Sequence, residues 1–383
     1  CDGNSLSSID VSGCPALTNL SCGNKELTAL KLSANLEELT CNNAKITSLD
    51  LSQCTKLKTL SLGENQISVI DLSSCTLLEN LSCSGKALQN IKFANSCVAL
   101  TYVDINRTSI KEIDLSDIKT LGSVSVINND DLTKLKVSGC NNLFYFVCEQ
   151  NKLQALDVSG LTKLNELQCW SNELTSLNVT GCTALERLWF QYNKISNIDI
   201  SSCTKLDHIN CEENNLTSLD AHNLKNLKAI TCKKNQLTSL NVSGCTSMQV
   251  IQCDSNKLET LDLSNLTNLE SVSCTYNNMT SLITLNTTGK YNALNCSNNL
   301  LTSLDATGFS TIDCSYNNLS NLKVGASLFM LWCSHNQLDK IDFSTCTRIA
   351  ELDCSYNKLK SLDVTATKHG FDGGINCSYN ELT

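Results

Sequence analysis

The chain has 383 residues, a formal net charge of −9 and only three arginines, Arg107, Arg187 and Arg348. Nucleic-acid binding needs a basic stripe, which this composition lacks, and no apolar run approaches the ~20 residues of a membrane span. Pro15 is the only proline, so no Pro-rich linker marks a boundary, and no signal peptide is present.

Taken in order, the chain repeats one motif. Its clearest copy is Leu164-Asn165-Glu166-Leu167-Gln168-Cys169-Trp170-Ser171-Asn172-Glu173-Leu174-Thr175-Ser176-Leu177, or L-x-x-L-x-C-x-x-N-x-L-x-x-L. The Cys slot recurs at Cys1, Cys22, Cys41, Leu62, Cys83, Ile105, Val126, Cys148, Cys169, Phe190, Cys211, Cys232, Cys253, Cys274, Cys296, Cys314, Cys333, Cys354 and Cys377, most often 21 residues apart. Apolar and polar residues alternate around this slot, which predicts a short strand with one buried face. Successive copies should pair in parallel, about 4.8 Å apart. The second half, as in Leu49-Asp50-Leu51-Ser52-Gln53-Cys54, alternates again and is too short and too rich in Ser and Thr for several helical turns. It predicts extended backbone or short strands. Each repeat contacts only its neighbours, so residues 1–383 form a single domain of about nineteen turns. Both Cys1-Asp2-Gly3-Asn4-Ser5-Leu6 and Cys377-Ser378-Tyr379-Asn380-Glu381-Leu382 are parts of the motif, so the polar caps that a solenoid needs are expected to be missing at both ends.

Of the 24 cysteines, 15 occupy the strand slot, where Leu62, Ile105, Val126 and Phe190 substitute. Cys14, Cys54, Cys75, Cys182, Cys203, Cys245 and Cys346 share a second slot with Ile118, Leu161, Leu224 and Leu266. A position that accepts Cys, Leu, Ile, Val or Phe is a buried apolar position, where free Cys packs as a small hydrophobe. No C-x-x-C and no Cys/His spacing suited to zinc occurs.

Two polar columns run beside the apolar ones. An asparagine three residues past the Cys slot recurs from Asn4 to Asn380, broken by Lys25, Ala44, Lys86 and Thr108, all in the first third. A carboxamide both donates and accepts, so the column can bridge turns, and that third should be the less regular. An aspartate column (Asp10, Asp50, Asp71, Asp114, Asp157, Asp199, Asp220, Asp262, Asp305, Asp342, Asp363) marks the second half. Stacked carboxylates repel, and a cation is one remedy. Lys31, Lys92, Lys136 and Lys323 interrupt the column, and Ser or Thr usually follows two residues later; both argue for a structural role.

Spacing departs from the period between Cys22 and Cys41 and between Cys314 and Cys333 (19), between Cys296 and Cys314 (18) and between Cys354 and Cys377 (23). A local change of curvature is expected over residues 285–333, with a smaller deviation over Lys92–Tyr102.

This motif, continuous over the whole length, resembles the leucine-rich repeat, and the nested Cys-rich form with an asparagine ladder is similar to short bacterial repeats, including internalin-like surface proteins. The resemblance implies an all-β, right-handed solenoid with a parallel concave sheet, an extended or short-strand convex side and little helix. It also implies binding without catalysis, at an extracellular or bacterial cell-surface location.

Nothing in the sequence points to an enzyme or a cofactor. His208, His222, His335 and His369 fall in no triad or metal motif, and no phosphate-binding glycine loop is present. The informative residues break the polar monotony of the sheet. Trp170, Trp189 and Val147 stand where Ser, Thr, Asn, Asp or Gln are usual, with Phe144, Tyr145 and Tyr192 nearby and Glu149, Glu166, Arg187, Gln191, Glu212 and Lys233 around them. Aromatic anchors ringed by polar groups have the composition of a binding hot spot. A second group is Phe329, Met330, Trp332 and His335, flanked by Tyr316 and Tyr356. The Tyr column (Tyr276, Tyr316, Tyr356, Tyr379) is assigned to packing of the turn edges. The leading expectation is recognition of a protein partner on the concave face. Glycan binding through exposed Trp and Tyr is the alternative, and a passive scaffold for a missing domain is the other. A polysaccharide-cleaving β-helix is disfavoured by the L-x-x-L-x-C-x-x-N spacing and by the lack of long insertions.

Overall fold

A computed structural model describes residues 1–93, 97–284, 292–368 and 371–383. They fold as a parallel β-solenoid whose strands are three to five residues long, with no helix among the described residues. The chain forms two compact units, Cys1–Ile195 and Ser196–Thr383.

Each turn contributes one strand to a main sheet. In the first unit the strands run from Asn19–Ser21 through Tyr145–Val147 and Glu166–Gln168 to Arg187–Trp189. In the second they run from His208–Asn210 through Ala293–Asn295, Thr311–Asp313 and Met330–Trp332 to Gly374–Asn376. Pairing is parallel and in register, as Leu167 opposite Leu188 and Ile312 opposite Leu331 show. The second half of most turns forms a three-residue strand, and these pair two by two, such as Ala155–Asp157 with Ser176–Asn178 and Ser303–Asp305 with Asn321–Lys323; around Asp50, Asp199, Asp342 and Asp363 the second half forms no strand. The expectation of short strands in place of a helix holds there.

Alternation decides which side chains enter the core. Leu167, Cys169, Leu188 and Phe190 are wholly buried, and each buried side chain of this size contributes about 1.5–3 kcal/mol. None of the 24 cysteines forms a disulfide. Burial pushes the Cys75 thiol up to about 12 and those of Cys140, Cys203 and Cys245 up to about 11, so they remain protonated and inert.

The asparagine column closes the turns. Asn256 is typical: its Nδ2 donates to the carbonyls of Cys232 (3.0 Å), Cys253 (3.0 Å) and Asp254 (3.3 Å), and its Oδ1 accepts the Leu237 N–H (3.0 Å). One side chain therefore ties two successive turns together. The breaks in the first third have local remedies. Asn24, one residue before Lys25, is buried and its Oδ1 accepts the Glu26 N–H (3.0 Å). Buried Thr108 donates through N–H and Oγ1 to Asn129 Oδ1 (3.0 and 2.7 Å), and Lys86 turns outward to pair with Asp130.

The aspartate column is likewise structural. Asp10, Asp50, Asp199 and Asp363 each accept the backbone N–H two residues on, at 2.9–3.0 Å. Hydrogen bonds from Ser12 bring the Asp10 carboxyl down to about 2. The lysines that interrupt the column pair with the preceding aspartate, as in Lys31–Asp10 (3.2 Å) and Lys323–Asp305 (3.0 Å).

Where turns shorten, the main strands stay in register and the second half absorbs the deletion. Gly325 is needed there, because a Cβ would stand 2.2 Å from the Thr307 carbonyl oxygen. The first part of the 285–333 stretch, residues 285–291, lies outside the described residues, as do residues 94–96 of the Lys92–Tyr102 deviation and His369.

Two outcomes test this account. Asn256→Ala strands the Leu237 N–H and the Cys232 carbonyl, and should cost about 3 kcal/mol in denaturant unfolding, with faster amide exchange at Leu237; a loss under roughly 1 kcal/mol with Leu237 still protected would refute the bridging role. In the native protein a bulky thiol reagent should label only exposed Cys1 and Cys14 and half-buried Cys377. After denaturation without reductant all 24 thiols should react; a majority of blocked thiols would contradict the assignment.

Candidate functional site

The residues between the buried positions of the main strands point outward and form rows across the sheet. In the first unit, register aligns Tyr145 with Glu166 and Arg187, and Val147 with Gln168 and Trp189. The backbone bonds Gln150 N–H to Trp170 O (3.1 Å) and Ser171 N–H to Gln191 O (3.0 Å) continue the pairing past the strand ends and bring Glu149, Trp170 and Gln191 alongside one another. Trp170, Trp189, Tyr145 and Phe144 thus occupy three consecutive turns. The Phe144 ring, 55% exposed, lies over Gly122, where a Cβ would stand 3.1 Å from Cε1; the missing side chain makes room for it.

Polar groups fix the surround. Glu166 accepts from Gln168 Nε2 (2.5 Å) and meets Arg187 Nη1 at 3.4 Å. Burial pushes the Glu149 carboxyl above its ordinary value, and a hydrogen bond from the Trp170 side chain opposes the shift. Tyr145 is half-buried, and its hydroxyl is pushed upward by burial. Val147 departs from the sequence expectation of an exposed side chain. It lies in the outward row, between Ser125 and Gln168, yet is only 7% exposed. Tyr192, 45% exposed, sits on the turn that leaves the strand, at φ 58. Glu212 and Lys233 belong to the second unit.

In the second unit the structure separates the residues grouped by sequence. Trp332 lies in the outward row with Asp313 and Asp353 on either side, and its Nε1–H donates to Glu351 Oε1 (2.9 Å). Met330 takes the row of Thr311 and Glu351, and Phe329 is half-buried just before it. His335 is on the turn instead, at φ 53. Its ring is stacked between Tyr316 (centroids 4.3 Å) and Tyr356 (4.2 Å), and Tyr356 stacks in turn on Tyr379 (4.2 Å). His335 is a member of the tyrosine column. The signal was available, since His335 stands two residues past its Cys, as Tyr316 and Tyr356 do.

Among the described residues no three His, Cys, Asp or Glu side chains converge as a metal site, and no helix is long and apolar enough to cross a membrane.

Stacked in-register strands, a buried Cys/Leu core and an asparagine tie in most turns define a repeat solenoid whose main sheet presents an outward face in each unit. Comparison with solved structures identifies the repeat. The functional domain of InlJ from Listeria monocytogenes, described as including a cysteine ladder, is 23% identical, over 93% of this chain and 69% of that one, with a TM-score of 0.53. The leucine-rich effector YopM from Yersinia pestis is 16% identical over 83% and 88%, with a TM-score of 0.54. Toll in the Drosophila Toll–Spatzle complex is 15% identical over 86% and 52%, with a TM-score of 0.54. The fold is the leucine-rich-repeat solenoid. No protein-family profile matches the chain, and no curated protein does.

Glu149 offers a handle on the first cluster. With Trp189 and Trp332 replaced by Phe, the remaining Trp170 emission should step with pH above the usual carboxylate value near 4.5, since the raised group takes up its proton early as pH falls. Glu149→Gln should abolish the step; its persistence would detach Trp170 from Glu149.

Proposed function

We propose that this chain is a non-catalytic recognition module that binds a protein partner on the outward face of its main sheet, at the bacterial cell surface or outside the cell. One observation carries the reading. Phe144, Tyr145, Trp170 and Trp189 stand on three consecutive turns, with Glu166 and Gln168 between them, on a face otherwise lined with small and polar residues. Exposed aromatic surface ringed by polar groups is what interaction sites look like. The ion pair of Arg187 with Glu166 forms part of the rim, and Tyr192 extends the patch along the turn. Toll, similar in fold, was solved in complex with Spatzle, which agrees with partner binding by this architecture. The surface location rests on the resemblance of the Cys-rich, asparagine-laddered repeat to that of internalin-like surface proteins.

The test is a screen of the full chain against a panel of cell-surface proteins, followed by affinity measurement with the Trp170→Ala/Trp189→Ala double variant. Loss of about 2 kcal/mol or more of binding energy is expected. Unchanged affinity in a variant with native circular dichroism would overturn the assignment of this patch.

A further inference from the structure

The second unit carries a different kind of surface. Across five successive main strands the outward row reads Ser273, Asn295, Asp313, Trp332, Asp353, each residue paired in register with the next. The side chains before Trp332 are short, and with Ala293 and Thr311 they floor an open trough of about 440 Å³, with Trp332 standing at one end. The small side chains leave it shallow and open.

Its polar groups have spare capacity. Asn295 Oδ1 accepts the Ser297 N–H (3.1 Å) and Oγ–H (2.8 Å), so among the described residues the Asn295 NH2 group has no partner. Asp313 Oδ1 accepts the Ser315 N–H (3.1 Å), and its other oxygen is likewise open. The Trp332 ring is held by its bond to Glu351 (2.9 Å), which occupies the indole N–H and leaves only ring surface for a ligand. The trough therefore presents, on neighbouring strands, one free donor, one free acceptor and an immobilised aromatic surface.

This set selects among ligands. An apolar protein side chain seated here would bury the Asn295 donor and the Asp313 acceptor without partners, which is unfavourable. A cation would satisfy Asp313 and face the Asn295 N–H donors. An anion would meet Asp313, with Glu351 and Asp353 beside Trp332, and the lining contains no Lys or Arg to receive it. A neutral polyhydroxylated ring meets all three demands: its C–H surface lies on the indole, and its hydroxyls donate to Asp313 and accept from Asn295. Because the trough is open and continues along the row to Ser273, it admits the interior of a chain as well as an end. We propose that this trough binds an internal stretch of a neutral linear polysaccharide. The site is independent of the aromatic patch in the first unit, and the failure of either leaves the other standing.

The experiment is calorimetric titration of the full chain with cellohexaose, xylohexaose, mannohexaose and chitin hexamer, with a galacturonic acid hexamer as the anionic comparison. One or more neutral hexamers should bind and perturb tryptophan fluorescence, and the acidic hexamer should bind more weakly. Trp332→Ala and Asp313→Ala should each weaken binding roughly tenfold or more, while Trp332→Phe, which keeps an aromatic surface, retains most of it. Asp313→Ala removes a partly exposed side chain of the sheet face and one turn hydrogen bond, from the Ser315 N–H, and keeps the test decisive if Trp332→Ala fails to fold. Absence of binding by all the neutral hexamers, preference for the acidic one, or wild-type affinity in the folded Asp313→Ala variant would overturn the proposal.

Discussion

Everything in this fold depends on a buried carboxamide that bonds the backbone of two successive turns. A chain that turns sharply out of a short strand leaves backbone carbonyls and N–H groups facing the core, and each one unpaired costs about 1–3 kcal/mol. Asn172, Asn235, Asn256 and Asn357 meet this demand with the same contacts: the carbonyl of the previous turn's Cys slot, the carbonyls of their own strand end, and a backbone N–H of the previous turn. Because the acceptor and donor lie on the turn before, the bond that closes one turn also sets its distance from the last. The in-register main sheet follows from that spacing. So does the choice of cysteine beside it, where a small apolar side chain fits the interior of successive turns and any of Leu, Ile, Val or Phe can replace it.

The turn that accommodates this asparagine places the residue before it in the left-handed region. Ser171, Tyr192, Lys234, Tyr276, Tyr316, His335, Tyr356 and Tyr379 all have φ between 50 and 58, a conformation that costs a non-glycine residue roughly 1–2 kcal/mol. Glycine would relieve the strain, and at Gly85 it does. Bulky rings in the last turns offset it by another route. Stacked at 4.2–4.3 Å, each aromatic pair gains about 0.5–1.5 kcal/mol beyond burial, comparable with the backbone cost. The stack thus accounts for His335 within a tyrosine column, since an imidazole between two phenol rings continues the pile.

The parts legible in the sequence are those fixed by period alone. The strand slot, the buried cysteines, the asparagine tie and the strand-like second half each repeat many times, so a single exception such as Phe190 does not obscure them. The parts that were not legible depend on what neighbouring turns do to one another's side chains. Val147 has the alternation of an exposed residue, but in the folded sheet it is buried between the strands of the turns before and after it. Counting three residues from Cys22 lands on Lys25, whereas the chain buries Asn24, whose side chain bonds within its own turn, to the Glu26 N–H. Trp332 and His335 are three apart in sequence and lie on different surfaces, one on the sheet and one on the turn. The aspartates that could suggest a cation site are consumed by their own turns, which follows from a Ser or Thr two residues on but becomes evident only when the N–H is seen to point at the carboxylate.

A fold this repetitive leaves its outward face nearly blank, and that blankness is what gives its exceptions meaning. Replacing Ser by Trp in the outward row changes no buried contact and no turn, so the scaffold neither requires nor forbids it. The exceptions then differ by what surrounds them. Around Trp170 and Trp189 the neighbours are large, Phe144, Tyr145 and Arg187, and the polar groups are paired with one another, Glu166 with Arg187 and Gln168; such a patch offers area. Around Trp332 the neighbours are small and Asn295 and Asp313 keep hydrogen-bonding capacity in reserve; such a trough offers geometry. Area suits a partner that buries apolar surface, and reserved hydrogen bonds suit one that brings hydroxyls. One backbone therefore carries two chemically distinct surfaces, set by outward side chains that lie outside the buried core.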